Sequence, residues 1–282
     1  MRVLGSKWIA RGCLALWGLL AMGTAALADE VKTDHVTAEL VAERSAIQPG
    51  QQIQIGLRLQ HQPHWHSYWR NPGDSGLPTT LGWTLPAGGR ASEIQWPAPK
   101  RLPIGPLVNY GYEGEVLLPV TFTAPSMLFP GSTLTVRAQA NWLVCKDVCI
   151  PENASLELRL PVVNRDTTPG NSLHAALFAK TSAETPVALA GWTAETERAG
   201  RDVLVTFKST GEGKGGTARP PIQVFPYKEQ VFEPARHEVF ATPTGYAVKL
   251  RLMDGAEMPG ALDGIAVSQT EPSLGAASVW GG

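Results

Sequence analysis

Thr133-Leu134-Thr135-Val136-Arg137-Ala138-Gln139-Ala140-Asn141-Trp142 alternates apolar and polar side chains along its length. A period of two puts Leu134, Val136, Ala138, Ala140 and Trp142 on one face of an extended strand and the polar residues on the other. The same period recurs in Ile53, Ile55, Leu57 and Leu59, in Leu81, Trp83 and Leu85, and in Leu156, Leu158 and Leu160. The breaks between these runs are Gln48-Pro49-Gly50, Asn71-Pro72-Gly73-Asp74, Pro86-Ala87-Gly88-Gly89 and Phe129-Pro130-Gly131. All four are turn chemistry. Short half-buried strands joined by many turns predict an all-β chain built as a β-sandwich.

The N-terminus carries Arg2, Lys7 and Arg11, then an apolar stretch over residues 13–28 that ends Ala26-Leu27-Ala28. A charged start, a short apolar middle and an A-x-A end predict a signal peptide over residues 1–28, and hence export to an oxidising compartment such as a bacterial periplasm. Removing its three cations leaves 21 basic and 25 acidic side chains, a formal charge near −4. That charge gives no case for a nucleic-acid surface, which needs a basic face. No later run is long and apolar enough to span a membrane.

Residues 29–163 are expected to form the first domain. Residues 164–181 form a linker, with a short helix over 172–181 where Leu173, Ala176 and Leu177 fall at helical spacing. Strands resume at Val203, Val205 and Phe207, at Ile222 and Val224, and at Val248, Leu250 and Leu252. Residues 182–282 are therefore expected to be a second, smaller β-domain ending in a tail. The Gly-rich run 208–221 lacks a phosphate-loop ending and is expected to be a flexible hairpin loop.

The strand Thr133 to Trp142 runs into Trp142-Leu143-Val144-Cys145-Lys146-Asp147-Val148-Cys149-Ile150-Pro151. Cys145 and Cys149 are the cysteines left once Cys13 goes with the signal. A bridge closing so small a ring stabilises a fold by only about 2 kcal/mol, against about 4.7 for a hundred-residue loop. Such a pair serves better as a reactive dithiol on a tight hairpin than as a staple. A small structural disulfide and a metal site on two thiolates remain as rivals. Nearby, His61-Gln62-Pro63-His64-Trp65-His66-Ser67-Tyr68-Trp69-Arg70 holds three of the six histidines. In an extended strand His64, His66 and Tyr68 share one face, with Trp65 and Trp69 off it. His64 and His66 are thus candidate ligands for copper or zinc. Asn109-Tyr110-Gly111-Tyr112-Glu113-Gly114-Glu115 is a Gly-punctuated aromatic loop that could fold its rings over a neighbouring site.

Three motifs, His66-Ser67-Tyr68-Trp69-Arg70-Asn71-Pro72-Gly73-Asp74-Ser75-Gly76-Leu77-Pro78, the aromatic loop 109–115, and residues 142–152 around the cysteines, together resemble the N-terminal periplasmic part of the DsbD-type thiol:disulfide interchange proteins, with the ScsB-like branch the nearer match. The resemblance covers residues 36–162 well and the second half loosely. It implies an immunoglobulin-like sandwich and a protein-disulfide reductase component whose redox group is the cysteine pair itself, with no soluble cofactor. Cys145 and Cys149 fall on the redox cysteines, and the resemblance favours Cys149 as the one that forms the mixed disulfide. Tyr110, Tyr112 and Glu113 fall on a cap loop shielding the site, and His66, Tyr68 and Trp142 near it as supports. The implied partners are a thioredoxin-like periplasmic oxidoreductase or client proteins, and a membrane-embedded electron donor. Full-length family members continue into membrane helices, which makes the tail 272–282 the expected approach to one. Two other readings compete: a periplasmic copper-tolerance protein using His and Cys ligands, and a non-catalytic interaction module with a structural disulfide.

Overall fold

The computed structural model describes residues 27–188, 192–209, 222–260, 262–268 and 278–281. The first half supplies β1 (Leu27–Ala28), β2 (Val31–Lys32), β3 (Val36–Ala42), β4 (Gln52–His61), β5 (His66–Gly73), β6 (Thr80–Thr84), β7 (Arg90–Ala91), β8 (Lys100–Ile104), β9 (Leu107–Glu113), β10 (Glu115–Thr123), β11 (Thr133–Cys145) and β12 (Cys149–Pro161). They build an immunoglobulin-like sandwich. One sheet runs β1-β12-β11-β5-β9-β8, with β6 also on β11, and the other runs β2-β3-β4-β10-β7.

Alternation in sequence becomes alternation in burial. On β11, Leu134, Val136, Ala138, Ala140 and Trp142 are buried while Arg137, Gln139 and Asn141 face water. Ile53, Ile55, Leu57 and Leu59 of β4 join them from the opposite sheet. Each fully buried Leu or Ile contributes about 2 kcal/mol by leaving water. The hydrophobic pattern also fixes register, because a one-residue slip would turn every apolar side chain outward. Register is what positions the site: β11 and β12 stay paired from Thr133↔Pro161 to Cys145↔Cys149.

The helix α1 (Ala175–Glu184) begins three residues later than the spacing predicts. Ser172 is the cause. Its backbone N–H donates to Glu43 O and its hydroxyl to Ala42 O, which fastens it to the end of β3. Phe178 then packs on Val41 and Leu117, on the outer face of the second sheet. The expected linker is therefore docked along the sandwich.

The second half contributes β13 (Val187–Ala188), β14 (Trp192–Ala199), β15 (Asp202–Ser209), β16 (Ile222–Pro226), β17 (Phe232–Thr242), β18 (Gly245–Leu252), β19 (Asp263–Ser268) and β20 (Ser278–Gly281). They form two four-stranded sheets, β13-β20-β19-β16 and β14-β15-β18-β17. Val203, Val205, Val248, Leu250 and Leu252 form their own core. This half also reaches into the first. Phe225 and Ile265, both fully buried, belong to the first sandwich's core. The Phe225 ring meets Tyr110 edge-on at 5.0 Å and Trp69 at 6.1 Å. The Asn71 amide donates to Pro226 O at 2.8 Å.

Within the stretch expected to be a tail, β20 pairs with β19 and β13. Leu27 and Ala28, expected at the end of the signal, pair with Arg159 and Leu158 of β12. The rest of the expected signal and most of the Gly-rich loop lie outside the described residues. No helix among the described residues is long and apolar enough to cross a membrane.

Candidate active site

Cys145 and Cys149 are the terminal register pair of the β11–β12 hairpin, and their sulfurs are bonded with the Cα atoms 4.2 Å apart. The turn between them is Lys146-Asp147-Val148, closed by Lys146 N–H to Val148 O at 3.2 Å. Burial separates the two cysteines: Cys145 is 1% exposed, while Cys149 faces solvent beside the 62% exposed Val148. A visiting thiolate can reach the second sulfur and not the first.

The neighbouring strands complete the face. On β5, His66 lies opposite Cys145, and on β9, Glu113 lies opposite His66. Directly opposed residues of an antiparallel pair share a face. Two residues along β5, fully buried Tyr68 donates its hydroxyl to Cys145 Sγ at 2.7 Å and sits 3.5 Å from Cys149 Sγ. Burial pushes the phenol pKa upward, with a hydrogen bond to Ser75 opposing it, so Tyr68 stays protonated and remains a donor. The amide of Asn109 donates to the same hydroxyl at 3.4 Å.

A loop holds Tyr68 in place. The Asn71 side chain accepts from Gly73 N–H at 3.0 Å, and Asp74 accepts from Val108 N–H at 2.7 Å. Asn109 Oδ1 takes both the N–H and the hydroxyl of Ser75 at 3.1 Å. These bonds lay Gly76 flat on the phenol ring. A Cβ at Gly76 would come within 2.2 Å of Tyr68 Cε1, and the backbone there has φ +112°. The position thus requires glycine on both counts.

The structure brings together Cys145, Cys149, His66, Tyr68 and Glu113, and leaves the other expected residues elsewhere. Residues 109–115 are not a loop over the disulfide. They are the end of β9, a tight turn at Gly114 (φ +68°) and the start of β10. Strand alternation turns Tyr110 and Tyr112 into the core, where Tyr112 donates to Pro97 O at 2.7 Å. The 74–76 loop instead lies against the ring of Tyr68. Trp142 also points into the core and donates to Glu152 at 3.3 Å, so it backs the hairpin from behind. His64 does not share a strand face with His66. It is exposed at φ +71°, in the turn closed by Trp65 N–H to Gln62 O. No group of three or more His, Cys, Asp or Glu placed to hold a metal occurs among the described residues. Ser75, Gly76 and Asn109 are contributors that spacing alone does not single out. The signal for Ser75 and Gly76 is a run of turn residues, Asn71-Pro72-Gly73-Asp74-Ser75-Gly76, longer than any one turn needs.

Buried His61 and half-buried His237 are expected to make the fold acid-sensitive. Burial lowers the pKa of His61 to about 4, with the Gly114 carbonyl bond opposing it, and burial likewise lowers that of His237 to about 4. Both folded values lie below the unfolded value, so the stabilisation is present above about pH 6.5 and is lost as pH falls toward 4. For His61 the loss amounts to about 3 kcal/mol. Urea melts at pH 7 and pH 4.5 check this; equal midpoints would contradict it.

Fold and site together define a class: an immunoglobulin-like sandwich carrying a disulfide, one cysteine buried and one exposed, at the tip of the β11–β12 hairpin. Residues 37–161 match the family model described as thiol:disulfide interchange protein DsbD, N-terminal. Among solved structures, the N-terminal periplasmic domain of ScsB from Proteus mirabilis is similar, at 17% identity and a TM-score of 0.67, covering 92% of this chain and 98% of that one. That likeness extends the shared fold across both halves. A protein of unknown function from Porphyromonas gingivalis W83 (10% identity, TM-score 0.24, 91% and 98% covered) and the YadV chaperone (9% identity, TM-score 0.23, 86% and 98% covered) align more weakly and carry no argument. No curated protein matches the chain significantly.

Proposed function

We propose that this protein is a periplasmic protein-disulfide reductase component that relays electron pairs through Cys145 and Cys149 by thiol–disulfide exchange. One observation carries the reading: an exposed sulfur, Cys149, is bonded to a buried one, Cys145, that already accepts a hydroxyl hydrogen bond. The match of residues 37–161 to the DsbD N-terminal family supports it.

The chemistry runs as follows. A donor thiolate attacks Cys149 Sγ, and a donor–Cys149 bond forms as the Cys149–Cys145 bond breaks. The electron pair stays on Cys145 Sγ, where the Tyr68 hydroxyl stabilises the departing thiolate. Exchange is faster when the leaving thiolate is stabilised. The donor's second thiolate then attacks its own sulfur and expels Cys149, leaving the pair reduced. Reduced Cys149 attacks a client disulfide, and Cys145 resolves that adduct. The donor expected is a thioredoxin-like periplasmic oxidoreductase fed by a membrane-embedded domain or protein, and the clients are oxidised periplasmic proteins. The redox group is the cysteine pair.

Tyr68→Phe tests the role of the hydroxyl. Phenylalanine keeps the ring under Gly76 and removes the donor to Cys145. A hydrogen bond to a charged group is worth about 1.5–3 kcal/mol. Cys145 thiolate is therefore expected to become harder to form by at least one pKa unit, and exchange with a small dithiol to slow about tenfold. The melting temperature is expected to change little. An unchanged rate in a folded variant would remove Tyr68 from the mechanism.

A further inference from the structure

Resting on the thiol–disulfide reading above, we propose that Glu113, His66 and Cys145 form a carboxylate–imidazole–thiol relay, in which His66 takes the proton from Cys145 as that sulfur resolves a mixed disulfide on Cys149. Strand register lays the groups out. Glu113 of β9 opposes His66 of β5, His66 opposes Cys145 of β11, and Cys145 opposes Cys149 of β12. Opposed residues carry their Cβ atoms about 5 Å apart on one face. Carboxylate, imidazole, buried thiol and exposed thiol thus stand in a row across four adjacent strands. That is the order in which an activated nucleophile, its base and the base's orienting carboxylate are arranged elsewhere.

The histidine is held ready. His66 is 3% exposed, and its ring meets Tyr68 edge-on with centroids 5.2 Å apart. Tyr68 in turn contacts Cys145 Sγ, so the imidazole is packed beside the sulfur's own partner. His66 Nε2 is buried and without a hydrogen-bond partner. Buried polar atoms are nearly always paired, and an unpaired one calls for an explanation. The oxidised state supplies it: a sulfur in a disulfide has neither a proton to give nor a charge to stabilise. Reduction gives Cys145 an S–H and the nitrogen a partner.

Electrostatics fits the assignment. Burial holds the His66 pKa below its usual value, and Glu113 pulls it part of the way back. The imidazole is therefore neutral near pH 7 and free to accept a proton. The titratable groups facing it are Glu113 from β9, Tyr68 on its own strand, Cys145 from β11, Cys149 from β12 and His61 at the end of β4. His61 stays neutral above about 4 and Tyr68 stays protonated, which leaves Glu113 as the fixed charge acting on the relay.

The step balances. Cys149 thiolate attacks a client disulfide, forming the Cys149–client bond and releasing one client sulfur. Cys145 S–H then passes its proton to His66 Nε2. The Cys145 electron pair forms the Cys145–Cys149 bond, and the Cys149–client bond breaks. The second client sulfur leaves with that bond's electrons and collects the proton from the imidazolium. The client gains two electrons and the pair loses two.

The relay has a distinctive pH signature. An unassisted thiol of ordinary pKa is only about 3% ionised at pH 7, so a base speeds attack by at most about thirtyfold there and does nothing once the thiol ionises unaided. The test mixes fully reduced protein with limiting Ellman's reagent in a stopped-flow instrument. The exposed Cys149 releases the first thionitrobenzoate, and Cys145 releases the second on resolution. His66→Gln is expected to slow the second release about tenfold near pH 7 and to converge on the wild type near pH 9.5. Glu113→Gln weakens the imidazole as a base and is expected to slow it about threefold near pH 7, with the same convergence. A deficit constant at every pH, or none, overturns the relay. If His66→Gln melts early, the decision rests on Glu113→Gln, at an exposed position, and wild-type behaviour there at every pH overturns the proposal. A wild type that never releases the second thionitrobenzoate overturns the thiol–disulfide reading itself, and the relay with it.

Discussion

A Cys145→Ser protein is expected to accumulate covalent adducts with its partners, and a Cys149→Ser protein to form none. The difference follows from burial. With Cys145 gone, Cys149 is still at the surface beside Val148 and Lys146, where it attacks a disulfide and has no neighbour to release it. With Cys149 gone, the remaining thiol is 1% exposed behind the hairpin and meets no partner. Exchange activity is expected to vanish in both variants, because resolution requires the second sulfur. Stability is expected to fall in both by only about 2 kcal/mol, the value of so small a ring. Non-reducing gels of periplasmic extracts, with mass spectrometry of the shifted bands, read the adducts. Adducts in the Cys149→Ser protein rather than the Cys145→Ser protein would reverse the assignment of the attacking cysteine. A stability loss of 5 kcal/mol or more would favour the structural-disulfide reading.

The second large effect concerns a residue without a side chain. Gly76→Ala puts a Cβ about 2.2 Å from Tyr68 Cε1 while holding φ at +112°, which L residues rarely adopt. Forcing the backbone there costs about 1–3 kcal/mol, and overpacking a filled site costs about 1–3 more. The expected loss is about 4 kcal/mol, together with slower exchange, because the ring that yields is the one bonded to Cys145. Gly105→Ala is the matched control. Its φ is +57°, and a Cβ there meets nothing within 4 Å. A cost of about 1 kcal/mol with normal exchange is expected. Equal melting temperatures for the two variants would mean that the 74–76 loop does not press on Tyr68.

Much of this was legible in the sequence for one physical reason: period-two alternation records which face of a strand is buried. Leu134 to Trp142 and Ile53 to Leu59 therefore placed the sandwich, and the strand ahead of Cys145 placed the dithiol on a hairpin tip. What stayed hidden depended on where strands stop and which face a loop residue takes. The tyrosines of residues 109–115 suggested a mobile cover, yet pairing of β9 with β5 and β8 turns Tyr110 and Tyr112 inward. His64 lost its place beside His66 because the chain turns after Gln62 and β5 starts only at His66. The His66–Cys145 pairing joins residues far apart in sequence through register alone, which no local spacing carries. Phe225, an apolar residue of a second-half strand, gave no sign that it completes the first core.

A redox titration of the native protein in glutathione buffers, with free thiols trapped by alkylation and counted by mass, decides whether the Cys145–Cys149 pair is a working redox group. The pair is expected to reduce reversibly while the fold stays intact, with a midpoint above about −300 mV, the range of disulfides that communicate with a thiol pool. Cys149 is expected to be alkylated before Cys145. A bridge that stays closed across the whole range, or opens only when the protein unfolds, would contradict the thiol–disulfide reading.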